Sequence, residues 1–152
     1  MTMYIEDSED MSAYYWLQSL FTDTPLIKIV SEFPMGDLVV PSISIEPGQI
    51  NTVGWELGNP TTVKLRRFSI EVFATSITQR KQCVYKILHE LDKARIPVYD
   101  YTQGFPPAVT PLQIGSMDVA ETVANFKRVF PEIDEKLYYR ATVTFVAVLT
   151  NF

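Results

Sequence analysis

An alternation of apolar and polar residues near the end of the chain restricts the fold more than any other feature. From Leu137 to Leu149 every second residue is apolar, and the residues between them include Arg140, Thr142 and Thr144. A period of two predicts a strand whose odd-numbered side chains form the buried face, and it fixes the register of that strand. At about 3.3 Å per residue this strand is more than twice the common length. A strand this long either extends beyond the core or pairs with another chain.

Composition limits the chemistry that the chain can perform. The chain has 152 residues, of which 47% are hydrophobic, and this predicts one domain with a core that needs no metal or disulfide. Cys83 and His89 are the single cysteine and histidine, so neither an intramolecular disulfide nor a Cys/His zinc site can form. Nucleotide-binding glycine motifs and the Gly-x-Ser-x-Gly motif are absent. We therefore expect no enzyme activity and no cofactor.

The lack of a signal-peptide pattern and of a membrane-spanning stretch predicts a cytoplasmic product. The acidic N-terminus lacks the basic and apolar regions of a signal peptide, and no stretch has the roughly 18 uncharged apolar residues of a membrane span. The charge is divided unevenly, with a net charge of −8 in residues 1–60 and +3 in residues 61–152. Such a division suits self-association through complementary faces, although two solvated surfaces explain it equally well. It does not favour tight nucleic-acid binding.

Local patterns predict the order of the elements. The N-terminal segment, residues 1–25, contains a helix from Met11 to Phe21 with Ser8 or Ser12 as its N-cap. Strands follow at Leu26–Val30 and at Asp37–Glu46, where Pro41 indicates an edge or a bulge. Residues 47–60, rich in glycine and proline, predict a long loop with Trp55 near its centre.

The second half predicts one helix and three further strands. A strand at Thr61–Thr75 precedes a helix at Ser76–Ala94, which begins with a capping box and has an apolar stripe that includes Ile77. A short strand at Ile96–Tyr99 and a Pro-rich loop lead to residues 113–129, for which a strand is favoured over a helix. The predicted fold class is α+β, a mainly antiparallel sheet of long strands with one helix packed on a face and a second helix at the N-terminus.

The order of these segments resembles a known family. The strand Lys64–Ala74, the helix, Ile96–Tyr101, a Pro-rich loop, a strand and the closing Leu137–Phe145 resemble the tail terminator, or tail completion, proteins of long-tailed bacteriophages. The resemblance covers residues 38–150 and consists of residue types rather than catalytic motifs. It implies a subunit of a ring, usually a hexamer, that caps the tail tube, stops its polymerisation and provides the docking face for the head connector. DNA passes through the lumen, and the protein is made in the host cytoplasm and ends in the virion.

The resemblance implies partners and surfaces rather than an active site. The partners are further copies of the chain, the tail-tube protein, the head-tail connector or neck protein and DNA in transit, with no membrane. The residues predicted at subunit or tube interfaces are Trp55, Leu57, Arg66, Arg67, Tyr99, Tyr101, Phe105 and Arg140. The acidic residues predicted to face the lumen are Glu71, Asp100 and Asp118, because like charge repels DNA phosphates.

Two groups of alternatives remain open. Head-completion or neck ring proteins and tail-tube proteins share the general plan, and a tube protein would polymerise instead of stopping at one ring. A more remote alternative is a small-molecule-binding module with a pocket at Tyr99, Asp100 and Tyr101. The residues of this cluster also suit a strand end and a turn. Mass in solution separates a monomeric module from a ring.

Overall fold

A six-stranded sheet with two helices forms the framework of the chain. The computed structural model describes residues 4–24, 27–30, 41–54, 62–102, 109–126 and 139–151. The elements in chain order are α1 (Ile5–Leu20), β1 (Lys28–Val30), β2 (Ser42–Gly54), β3 (Thr62–Ala74), α2 (Ile77–Leu91), β4 (Arg95–Tyr99), β5 (Gln113–Phe126) and β6 (Tyr139–Asn151). The strand order is β1-β2-β3-β6-β5-β4, and every neighbouring pair is antiparallel except β1 with β2. The α+β class is therefore confirmed.

Strand β6 lies near the middle of the sheet with the predicted face buried. Ala141, Val143, Phe145 and Ala147 are fully buried, whereas the alternate residues are half-buried. Phe145 pairs in register with Phe68 of β3, and their rings stack with centroids 5.3 Å apart. The period of two therefore gave the correct register, and both neighbouring strands shield this row of side chains from water.

Both helices cover the same face of the sheet. The core-facing residues of α2 are Val84, Ile87 and Leu91, and those of α1 include Leu17, all in one cluster with the β6 row. Trp16 of α1 lies 6.4 Å from Phe145, measured between ring centroids. The other face, which we call the polar face, carries Ser69, Glu71, Thr142 and Thr144 in adjacent register. No helix of the described chain is long and apolar enough to cross a membrane.

Helix α1 begins six residues earlier than predicted, and Ser8 and Ser12 do not cap it. Tyr4 occupies the N-cap position, and its N–H donates to Asp7 Oδ2 at 2.8 Å. Carboxylates in the first helical turn interact favourably with the helix dipole. The acidic residues that follow are also compatible with the helix, because basic side chains of β3 pair with them.

The predicted loop at residues 47–60 is also corrected in part. Residues 47–54 continue β2, and a bulge between Pro47 and Ile50 accommodates the proline and glycine that indicated a loop. The backbone passes close to β3 there, because a Cβ on Gly48 would lie 3.1 Å from the Arg67 carbonyl oxygen. The rest of that predicted loop, with Trp55 and Leu57, lies outside the described residues, as do residues 37–40 and Phe105.

The remaining boundaries differ by a few residues. Strand β1 covers only Lys28–Val30 of its predicted segment, and β5 confirms the strand prediction for residues 113–126. Helix α2 ends at Leu91, and Ile77 of its predicted stripe is exposed. Ser76 Oγ accepts from the Gln79 N–H as predicted, but the Gln79 side chain accepts from the Thr75 N–H instead of the N-cap N–H.

Candidate interaction surfaces

Arg66 does not lie on an interaction surface, contrary to the prediction. Its side chain is fully buried beneath α1, where Nη1 donates to Glu9 Oε1 at 2.6 Å and Nη2 donates to Asp10. Lys64 Nζ lies 3.0 Å from Glu9 and 2.8 Å from Glu6. Arg66 continues the buried row of β3 that contains Phe68, so its charge must be matched by carboxylates inside the molecule.

Tyr101 is also buried within the subunit, again in contrast to its predicted interface position. Its ring lies 5.6 Å from Tyr15 between centroids, and burial raises the pKa of its hydroxyl. The Tyr101 N–H donates to Ser8 Oγ at 3.1 Å, and the Tyr99 N–H donates to Ser12 Oγ at 3.0 Å. The two serines thus attach α1 to the end of β4, and only Tyr99 of the tyrosine pair stays half-buried.

Asp100 forms a local turn beside these tyrosines. Its Oδ1 accepts from the Thr102 N–H at 3.0 Å and from the Thr102 hydroxyl at 2.5 Å. These hydrogen bonds lower the pKa of the Asp100 carboxyl. Such a geometry is typical of an Asx turn, in which the carboxylate satisfies its own backbone. It favours the turn interpretation over a ligand-binding carboxylate.

The polar face brings together several of the predicted surface residues. Glu71 Oε2 accepts from Arg140 Nε at 2.9 Å and from the Thr142 hydroxyl at 2.9 Å. Asp118 lies on the same face and pairs with Arg95 at 2.8 Å. Arg67 is exposed there without an ion pair in the described part of the chain. Two of the three predicted lumen acids therefore share one face, and their place in a lumen stays a prediction.

Among the described residues, charges on the polar face are balanced. The strand registers place as many basic as acidic described residues on it, namely Lys28, Arg67, Arg95 and Arg140 against Glu46, Glu71, Asp118 and Glu121. This part of the face carries no net positive charge, and such a surface does not concentrate phosphate groups.

The other side of the sheet exposes an aromatic pair that sequence reasoning missed. Tyr85 of α2 meets Phe126 of β5 edge to face, with centroids 6.2 Å apart, and the Arg80 guanidinium lies 5.1 Å from the Phe126 ring centroid. A cleft of about 300 Å³ next to this pair is lined by residues that include His89 and Thr122. In the residues described, no group of three or more His, Cys, Asp and Glu side chains is placed to hold a metal.

Acid should weaken the attachment of α1 to the sheet by a small, measurable amount. The Lys64 ammonium hydrogen-bonds Glu6 and lowers the pKa of that carboxyl below its ordinary 4.5. A lowered carboxyl pKa contributes stability above the ordinary value, and this stability is lost as the pH falls through the lowered value. The pair is partly exposed, so we expect about 0.2–1 kcal/mol.

Thermal unfolding between about pH 6 and pH 3 measures this contribution. The fall in melting temperature should be shallower for Glu6→Gln than for the unsubstituted chain. Glu90→Gln changes an exposed carboxyl on α2 and serves as the control. Parallel curves for all three proteins would contradict the assigned ion pair.

Comparisons with known proteins give similarities to solved structures but no family. No protein-family model matches the chain, and no curated protein matches it significantly. The fold is similar to a chain from a solved structure described as the virion of a native gene transfer agent particle. The TM-score is 0.45 and the sequence identity 13%, and the match covers 93% of this chain and 89% of the other. At this TM-score the similarity by itself establishes no common function.

Proposed function

We propose that the chain is a structural virion protein, a tail terminator that caps the tail tube of a long-tailed bacteriophage. Copies of the chain form a closed ring, a hexamer in the family that it resembles. The ring stops tube polymerisation, provides the docking face for the head connector, and lets DNA pass through its lumen. No catalytic step is part of this role.

One observation carries the proposal. The segments on which the family resemblance rests occur in that order as β3, α2, β4, β5 and β6, and the four strands lie in one sheet. The strand that closes the resemblance, β6, lies between β3 and β5 and supplies a fully buried row to the core. The matched segments are thus the framework of the sheet rather than peripheral additions.

The two faces of the sheet support a ring subunit with separate inner and outer sides. Both helices lie on one face, and the polar face carries Ser69, Thr142, Thr144 and charged residues beside the apolar Leu65, Phe73, Val146 and Val148. A lumen through which DNA passes needs such a face, because net positive charge would retain the phosphates. We therefore place the polar face toward the lumen and the helices toward the outside.

The alternatives differ in what they bind. A neck ring would attach to the head connector without capping a tube, and a tube protein would polymerise on its own. The small-molecule module is less favoured, because Asp100 Oδ1 already accepts hydrogen bonds from the Thr102 N–H and hydroxyl.

Growing tail tubes test the proposal directly. Tubes polymerised from the tail-tube protein of the same phage should stop elongating when this chain is added, with one ring at a tube end by negative-stain microscopy. Val143→Asp, which should not fold, is the matched control. Unchanged tube lengths with no ring at the ends would contradict the terminator role, and tubes made by this chain alone would favour the tube-protein alternative.

A further inference from the structure

Strand β5 has a long stretch of unpaired edge. Strand β4 pairs with β5 only from Gln113 to Asp118, and the last backbone bond runs from the Val119 N–H to the Ala94 carbonyl. Residues 120–126 pair with β6 on one side, and no described strand pairs with them on the other. At about 3.3 Å per residue this edge is about 23 Å long. Among the described strands, none takes its outward backbone groups, with which a strand of another chain could pair.

Residues 121–126, which follow a bulge between Val119 and Glu121, carry few of the features that block strand addition. Proteins usually protect exposed edges with proline, inward-pointing charges, bulges or very short strands. Residues 120–126 contain no proline and one charged residue, Glu121, and they expose Val123 and Phe126. Strand β4, in contrast, contains Pro97 near its middle. Within the described strands, the sheet is therefore protected beside the first half of β5 and open beside its second half.

Strand β2 provides a second open edge at the other side of the sheet. Strand β1 covers β2 only at Ser42–Ser44, through three register pairs. Beyond the bulge, residues 50–54 pair with β3 on one side, and no strand in the described ranges lies on the other. Ile50 is exposed on this stretch.

The directions of the two open edges are complementary. The path from β2 through β3 and β6 to β5 takes three antiparallel steps, so β2 and β5 run in opposite directions. A second copy placed beside the first in the same orientation brings its β2 antiparallel to β5. Each copy then joins one neighbour through its β5 edge and the other neighbour through its β2 edge. Such a contact is heterologous, and it repeats and closes into a ring when the rotation between copies allows.

We propose that the edge of β5 within residues 121–126 pairs antiparallel with the edge of β2 within residues 50–54 in a second copy of the chain. The inference deepens the proposed function and rests on it, because it names the contact that joins neighbouring subunits in the ring. Sheets of adjacent copies become continuous, with all helices on one side and all polar faces on the other.

Paired cysteines test the contact. Asn51, Glu121, Val123 and Asn125 all lie on the polar face, as their register partners show. Cysteine at Asn51 is combined in turn with cysteine at each of the three β5 positions, which scans the register. Mild oxidation of the assembled protein should give a ladder of covalently linked chains on a non-reducing gel for at least one pair. Each link joins two different edges, so the ladder continues past the dimer.

A matched control places one cysteine on the opposite face of the sheet. Thr52 pairs with Lys64 and therefore points to the helix side, so Thr52→Cys with Val123→Cys should link far less. Val123→Cys alone should give no covalent dimer. Cys83 is buried, and burial raises the pKa of its thiol, so it should not contribute links.

The outcomes separate this inference from the proposed function. Rings seen by microscopy, in solution or on tail tubes, without a ladder from any of the three pairs would overturn the strand contact and leave the ring intact. A covalent dimer from Val123→Cys alone would show that β5 pairs with itself, which also overturns it. Absence of any assembly, alone and with tubes, would contradict the proposed function as well.

Discussion

Replacing Arg66 by alanine should destabilise the chain by about 3–5 kcal/mol, because it leaves a buried carboxylate without its main partner. Glu9 is 1% exposed, and Arg66 Nη1 lies 2.6 Å from its Oε1. The same substitution removes the guanidinium that pairs with Asp10, whose pKa is raised because burial removes water from the carboxyl. Urea unfolding followed by circular dichroism measures the loss of free energy of unfolding.

Arg67→Ala is the matched control for Arg66→Ala. The two arginines are adjacent on β3, but Arg67 is exposed on the polar face. A substitution at such a site usually changes stability by less than about 0.5 kcal/mol. Adding Glu9→Gln to Arg66→Ala should recover part of the loss, because the unpaired negative charge is removed. Equal effects of Arg66→Ala and Arg67→Ala would contradict the buried ion-pair cluster.

Val143→Asp should prevent folding. Val143 is fully buried in the middle of β6, where its register partners are Ile70 and Ala124. A carboxylate there has no basic partner, and an unpaired buried charge costs several kcal/mol. A domain has a total stability of about 5–15 kcal/mol, so this cost removes most of it. Loss of the cooperative thermal transition is the expected result.

Thr150→Asp places the same charge on the same strand at an exposed position. It should leave the melting temperature within a few degrees of the unsubstituted value, since about 1 kcal/mol shifts a domain of this size by only a few degrees. A folded Val143→Asp protein would mean that the odd-numbered residues of β6 do not face the core.

The elements with strong periodicity could be predicted from the sequence. The alternation in β6 and the cap of α2 at Ser76 depend on residues near one another in the chain, and the structure contains both. Strand β5 was predicted for the same reason, although its apolar spacing also fitted a helix.

The features that depend on distant residues were predicted less well. The acidic run in α1 looked like a segment before the helix, because its partners Lys64 and Arg66 lie more than 50 residues away. From the sequence alone, Pro47 and Gly48 indicated a loop. They form a bulge instead because β2 pairs with β3, which follows later in the chain. Arg66 was assigned to the surface by its charge, although it continues the even-numbered buried row of β3.

Parts of the candidate surface follow from the sequence and parts do not. The unusual length of the strands indicated either extension beyond the core or pairing with another chain. The open stretch of β5 was not predicted, because it exists only through the short β4 beside it. Glu71 and Asp118 were predicted to face a lumen, which stays a prediction, and their pairing with Arg140 and Arg95 depends on strand register.

Native mass spectrometry across a concentration series, with negative-stain images of the same samples, tests the central claim most directly. The account predicts closed rings, six-fold in the family that the sequence resembles, either at high concentration or when tail tubes are added. A chain that remains a monomer at every concentration and does not assemble on tail tubes would contradict it.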